Sequence, residues 1–203
     1  ILEEFTLPYV FPEAVELETN NIKKDISLES FREDHSRKLT FTIDPEDAKD
    51  FDDALSYQKT ENSCVEVGVH IADVSHYVQT ETELDKEAFN RATSVYLADR
   101  VVPMLPEKLS NDLCSLNPNE KKNAFSVFFL FTNNNRIKNI RFCKSLIVSD
   151  ERLSYEEAQH IIENKETTIP SEKTILKKEK KIDKDVAGSI KHLYAISKIL
   201  KNE

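Results

Sequence analysis

The chain has 203 residues, with 28 basic and 37 acidic side chains for a net charge of −9, and 39% of its residues are hydrophobic. That is long enough for a sizeable core in one or two domains, no apolar run approaches the eighteen or so residues of a membrane span, and no secretory signal opens it. Cys64, Cys114 and Cys143 stand far apart without a C-x-x-C spacing, which argues against a disulfide framework or a cysteine zinc site and fits a reducing cytoplasm. The charge is uneven, since residues 1–36 carry nine acids and three bases whereas residues 172–203 carry five acids and nine lysines. The basic tail reads either as a surface for a polyanion or as a solvated helix face.

In chain order, residues 1–36 read as a linker, with Pro8, Pro12 and scattered acids, a short helix over Pro12–Thr19 and a helical turn over Ser27–His35. Leu39, Phe41 and Ile43 then alternate with Thr40, Thr42 and Asp44, the period of a half-buried strand that delivers Asp44 at its end. Pro45 stops that strand. Glu46, Asp47, Asp50, Asp52 and Asp53 crowd the following loop before an apolar run begins at Ala54. Two carboxylates about 4 Å apart repel by roughly 1 kcal/mol in water and about 4 at an effective dielectric near 20. A converging group of them therefore calls for protons or cations. Oxygen-only donors favour magnesium, manganese or calcium over zinc. An EF-hand fits poorly, for want of the turn glycine and the closing Glu. The alternative is a solvated acidic turn.

Val65, Val67, Val69 and Ile71 predict a strand beside the one carrying Asp44. His70, Asp73 and His76 follow, the histidines read as structural and Asp73 as support for the acidic site. Thr82 and Asp85 cap a helix with Leu84, Ala88, Phe89 and Ala92 on one face. Residues 101–117 are loop-rich. Ala124–Phe131 reads as a fully buried strand, and Thr132–Asn135 as the turn to a partner strand over Ile137–Val148. Ser154 and Glu157 form a capping box for a helix with Ala158, Ile161 and Ile162 inward. Residues 164–182 read as a polar connection or frayed helix. From Asp183 onward Val186, Ile190, Leu193, Ile196 and Leu200 repeat at helical spacing.

The pattern Asp44-x5-Asp50-x-Asp52-Asp53 resembles the first signature of the ribonuclease II and ribonuclease R family, whose catalytic (RNB) domain opens with Thr-Ile-Asp-Pro-x-Asp-Ala-x-Asp-x-Asp-Asp-Ala, matched at Thr42–Ala54. Three further motifs match in order, His70–Val78, Asn90–Leu97 and Val101–Asn117, and the whole is most similar to the ribonuclease R branch. The resemblance implies an α+β fold, with a mainly antiparallel, strongly curved sheet and packed helices. It implies residues 1–36 as a linker from a cold-shock-type domain and 37–203 as the first part of the RNB domain. Its later half, with an arginine near the scissile phosphate, and an S1-type domain would lie elsewhere.

The function so implied is hydrolytic, processive 3′-to-5′ exoribonuclease action on single-stranded RNA, releasing nucleoside 5′-monophosphates. Two magnesium ions about 4 Å apart, with manganese as a substitute, would activate water and stabilise the leaving 3′ oxygen. Carried over residue by residue, Asp44 and Asp53 hold the ion on the scissile phosphate and Asp50 supports it. Asp52, expected to be the most rate-sensitive, completes the second site or orients the water. Tyr96, which by itself reads as a core tyrosine, and Tyr155 match family tyrosines at the RNA 3′ end. Stacking is sequence-tolerant, so Tyr96→Phe is expected to cost little. The net negative charge places the main grip on RNA outside this chain, which alone is expected to be inert, with its last helix short of a packing partner. A non-catalytic RNA-binding or scaffold role and a metal-dependent phosphatase are the alternatives.

Overall fold

Alternating apolar residues in four long segments build one sheet, and the computed structural model describes it within residues 5, 7–24, 31–60, 63–164 and 166–201. In chain order the elements are α1 (Glu13–Asn21), β1 (Glu33–Asp34), β2 (Thr40–Asp44), β3 (Asp53–Lys59), β4 (Val65–Ala72), α2 (Val74–Tyr77), α3 (Glu83–Arg91), β5 (Val95–Tyr96) and β6 (Val101–Val102). A π-helical turn over Lys108–Leu113 leads to β7 (Lys121–Phe131), β8 (Ile137–Val148), β9 (Glu151–Ser154), α4 (Tyr155–Glu163), β10 (Thr168–Ile169), β11 (Lys180–Lys181) and α5 (Lys184–Lys201).

The main sheet runs β1-β8-β7-β4-β3-β2-β9. Its interior pairs are antiparallel, and both edge pairs, β1 with β8 and β2 with β9, are parallel. The α+β expectation holds, but the sheet is mixed and its order runs open between two free edges instead of curling round. The strand carrying Asp44 also has a different neighbour from the one expected. β3 lies between β2 and β4, because the apolar run from Ala54 is itself a strand and pairs with β4 from Asp53↔Ile71 to Lys59↔Val65.

Strand alternation sends side chains to two cores. On one face Phe41, Leu153 and Leu55 meet Ile161, Val186 and Ile190 of α4 and α5. On the other, Ala54, Ala72 and Ala124 meet Val15 of α1, Leu84 of α3, and Leu109 and Leu113. The stretch read as a linker is thus fastened down where it is described. Arg91 donates to the carbonyls of Val10 and Pro103 and lies 3.7 Å from the Phe11 ring. Lys108 Nζ donates to the carbonyls of Thr19, Asn20 and Ile22 at 2.9 to 3.0 Å, satisfying the end of α1.

Both predicted helix caps form. Thr82 accepts from the Asp85 amide, and Ser154 and Glu157 complete the capping box. Four expectations change. Phe89 is 84% exposed, and Arg91 takes the inward position on α3. Residues 27–30 of the expected helical turn lie outside the described residues, and Glu33–Asp34 form a strand. Phe125 leaves β7 only partly buried. Residues 166–182 include the hairpin β10–β11, because Ile169 and Ile182 are apolar enough to enter the core. Among the described residues no helix is long and apolar enough to cross a membrane, and the three cysteines are free.

Candidate active site

Asp44 is the last residue of β2, level with Ser154 across the parallel pair with β9. Its side chain sits in a residue only 8% exposed, and Oδ2 has no hydrogen-bond partner. Burial is the main reason its carboxyl is pushed up to about 6; the neighbouring Thr42 hydroxyl and the Arg152 guanidinium oppose it, and the charges of Asp53 and Asp52 add to it. Loss of hydration costs an ionised group several kcal/mol unless it is paired. Asp44 therefore has an unfilled demand for a proton or a cation.

The loop from Pro45 to Asp52 is held from three sides. Phe51 is buried among Ala54, Leu116 and Ile147, a burial worth about 1.5 to 3 kcal/mol. Its N–H donates to Ser115 Oγ at 3.0 Å, and its carbonyl accepts from the Leu116 N–H at 2.8 Å. Arg152 Nη2 donates to the carbonyls of Glu46 and Ala48, and its guanidinium lies 4.6 Å from the Phe51 ring. The Asp52 carbonyl accepts from the Ala72 N–H, joining the loop to β4. The backbone is thus rigid where the side chains repel. Burial, then the charges of Asp50 and Asp53, push the Asp52 carboxyl upward.

Asp50 accepts a 3.0 Å hydrogen bond from the Tyr96 hydroxyl. Tyr96 is 66% exposed, so it is not a core tyrosine. Tyr155 follows Ser154 directly, is exposed, and borders an open cavity of about 470 Å³ with Glu46, His160, Lys173 and Lys177. The structure brings Asp44, Asp52 and Asp53 into electrostatic contact and ties Asp50 to Tyr96, while Tyr155 stands on the Glu46 side of the loop.

The His/Asp cluster goes elsewhere. His70 is fully buried between Ser56 and Ser126, at 2.9 and 2.7 Å, and burial lowers it to about 4. Asp73 pairs with Arg32 at 2.8 Å and Lys144 at 3.4 Å, so its charge is met there instead of at the acidic loop. His76 packs edge-on against Tyr77. Burial pushes the Cys114 thiol up to about 12.

Among the described residues, the group of three potential ligands with all their atoms within 4.8 Å of one another is Glu33, His35 and Cys143, not the aspartates. Arg141 already donates to both Glu33 oxygens there, at 2.6 and 2.7 Å. Among the described residues no three carboxylates of the acidic loop come that close. Sequence reasoning overlooked Arg152 and Ser115. Ser115 lies in the loop-rich fourth motif, and Arg152 has no sequence signal beyond standing two residues before the Ser154 cap.

The RNB domain model matches residues 32–203. Ribonuclease R of Chlamydia trachomatis is 43% identical over 182 residues, 87% of this chain and 26% of that protein. Ribonuclease R of Aquifex aeolicus is 45% identical over 164 residues, 80% of this chain and 23% of that one. Among solved structures, Mycoplasma genitalium RNase R in complex with ribose methylated single-stranded RNA superposes with a TM-score of 0.86 at 31% identity, covering 99% of this chain and 30% of that one. The chain thus spans about a quarter of the length of these two curated relatives.

Proposed function

The chain belongs to the RNB domain family, and on that premise we propose that it carries the acidic centre of a magnesium-dependent 3′-to-5′ exoribonuclease that hydrolyses single-stranded RNA processively to nucleoside 5′-monophosphates. The observation that carries this reading is Asp44, buried with an unpartnered Oδ2 beside Asp52 and Asp53. The donors are all oxygens, as a hard divalent cation requires, and manganese would serve in place of magnesium. Asp44 and Asp53 would hold the ion at the scissile phosphate, Asp50 would steady it, and Asp52 would complete a second position or orient the attacking water. Bound there, magnesium would neutralise developing charge and promote in-line attack on phosphorus.

The remaining residues position and exclude. Phe51, Ser115 and Arg152 fix the loop backbone, so a cation would gather the carboxylates by side-chain rotation alone. The exposed Tyr96 ring offers a stacking face for a terminal base without sequence preference, and Tyr155 would contact the terminal nucleotides from the other side. A negative chain needs basic surface from elsewhere to hold RNA. We place that surface in the parts of the relatives that this chain does not cover, where cold-shock and S1-type domains would also belong, and expect the 203 residues alone to be nearly inert. A reducing cytoplasm suits the free cysteines.

The test is single-stranded RNA labelled at its 5′ end, incubated with magnesium and the full-length protein. The expected result is stepwise shortening with mononucleotide release, abolished in Asp52→Asn while RNA binding persists. RNA bound but never shortened would favour a scaffold role, and loss of only a terminal phosphate would favour a phosphatase.

A further inference from the structure

Tyr96 belongs to the hairpin β5–β6, in which Val102 is the one buried residue between 95 and 102. The hairpin therefore meets the body through little apolar surface. The Tyr96 hydroxyl nevertheless reaches Asp50 Oδ2 at 3.0 Å, while its ring stays 66% exposed. Asp50 is fixed at its root, because the next residue, Phe51, is buried and bonded at both its N–H and its carbonyl. Its carboxylate is free to rotate except for one partner. Among the described residues the Tyr96 hydroxyl is the only hydrogen-bond donor to it. That bond engages Oδ2 and leaves Oδ1 available, and the charge of Asp50 acts directly on Asp52.

One residue thus presents an aromatic face to solvent and a hydroxyl to the acidic centre. Hydrogen bonds to ligating carboxylates orient them, and their loss typically weakens metal binding 10- to 100-fold. An exposed ring beside such a centre is a platform for an unstacked base. We infer that Tyr96 is a positioning residue that couples the two, its hydroxyl setting the Asp50 carboxylate for the cation while its ring receives the terminal base. The inference rests on the cation-dependent reading above and departs from the expectation that Tyr96→Phe costs little. Because coupling between two ligands is reciprocal, a base held on the ring should tighten cation binding, and the cation should tighten the hold on RNA.

The experiment compares full-length wild type, Tyr96→Phe and Tyr96→Ala. Manganese binding is counted by electron paramagnetic resonance with and without single-stranded RNA, and RNA binding is measured in chelator. Tyr96→Phe should bind manganese about tenfold more weakly, keep RNA affinity in chelator within about twofold of wild type because the ring remains, and lose the tightening of manganese by RNA. Tyr96→Ala should lose both holds. Tyr96→Phe binding manganese as tightly as wild type, while wild type shortens RNA, overturns the coupling alone. Wild type that never shortens RNA, with Tyr96→Phe still weaker for manganese, overturns the exonuclease reading and upholds the coupling.

Discussion

Asp44 and Asp73 are both buried aspartates at strand ends, 8% and 3% exposed, and their surroundings drive them in opposite directions. Burial pushes both upward. At Asp73 the Arg32 guanidinium, Ser75 and Lys144 outweigh burial and hold the carboxyl below its ordinary value. At Asp44 burial is reinforced by Asp53 and Asp52, the Thr42 hydroxyl and Arg152 oppose it without offsetting it, and the carboxyl rises to about 6. The same side chain at similar depth is thus a structural anion in one place and an unsatisfied one in the other. Depth alone does not set the charge state of a buried carboxylate; the sign of its neighbours does.

The widest separation between the two should come from removing Arg32. Arg32 is fully buried, donates to the carbonyls of Ala124 and Ser145, and pairs with Asp73 at 2.8 Å. Arg32→Ala should cost about 3 to 5 kcal/mol, the usual result of stranding a buried charge, with Lys144 softening the loss. Urea unfolding measures it, and a loss under 1 kcal/mol would place Asp73 in the same class as Asp44.

Asp44→Asn should act with the opposite sign. The folded protein holds the Asp44 proton up to about 6 against an ordinary 3.8, so in metal-free buffer its contribution to stability falls as pH rises from about 4 to about 6 and stays low above that. Asp44→Asn should raise metal-free stability at pH 7 by up to about 3 kcal/mol and flatten that slope. Thermal melts in chelator across pH 4 to 8 check both. The Asp73 contribution runs the other way, present above its unfolded value and lost on acidification through its lowered folded one.

A smaller effect tests the satisfied side of the comparison. His70, Ser56, Ser126 and Ser145 form a buried hydrogen-bonded chain across four strands. A Cβ on Gly68 would press on Ser56 Oγ and come within 2.8 Å of His70 Nε2. Gly68→Ala should therefore cost about 1 to 3 kcal/mol, read by denaturant titration, while leaving manganese affinity unchanged. A change in that affinity would show that the two polar regions are linked.

Local rules made much of this legible. The alternation through Ile43 placed Asp44 at a strand end, two capping signatures placed α3 and α4, and Thr132–Asn135 placed the β7–β8 hairpin. What escaped was long-range. Nothing local says that β3 inserts between β2 and β4, that Arg32 reaches Asp73, or that Arg152 spans back to Glu46 and Ala48. Lysines also masked Ile169 and Ile182, whose burial depends on α5 arriving over them. For the site, spacing supplied the aspartates and the family match supplied Tyr96, but the hydroxyl on Asp50 is a property of the fold alone.

The parallel pairing of β2 with β9 also dictates when the centre can mature. Thr40 N–H reaches Asp150 Oδ2 across a separation of 110 residues, and the other edge pair, Glu33 with Ser145, is comparably distant, whereas the interior pairs β3–β4, β4–β7 and β7–β8 join partners closer along the chain. Contacts between distant residues carry the larger loop-closure cost and form late. At about 5 to 20 residues per second, a ribosome would display the acidic stretch for some seconds before β9 exists to shut it in. A nascent chain would therefore carry its aspartates solvated and poorly organised until the last edge of the sheet has formed.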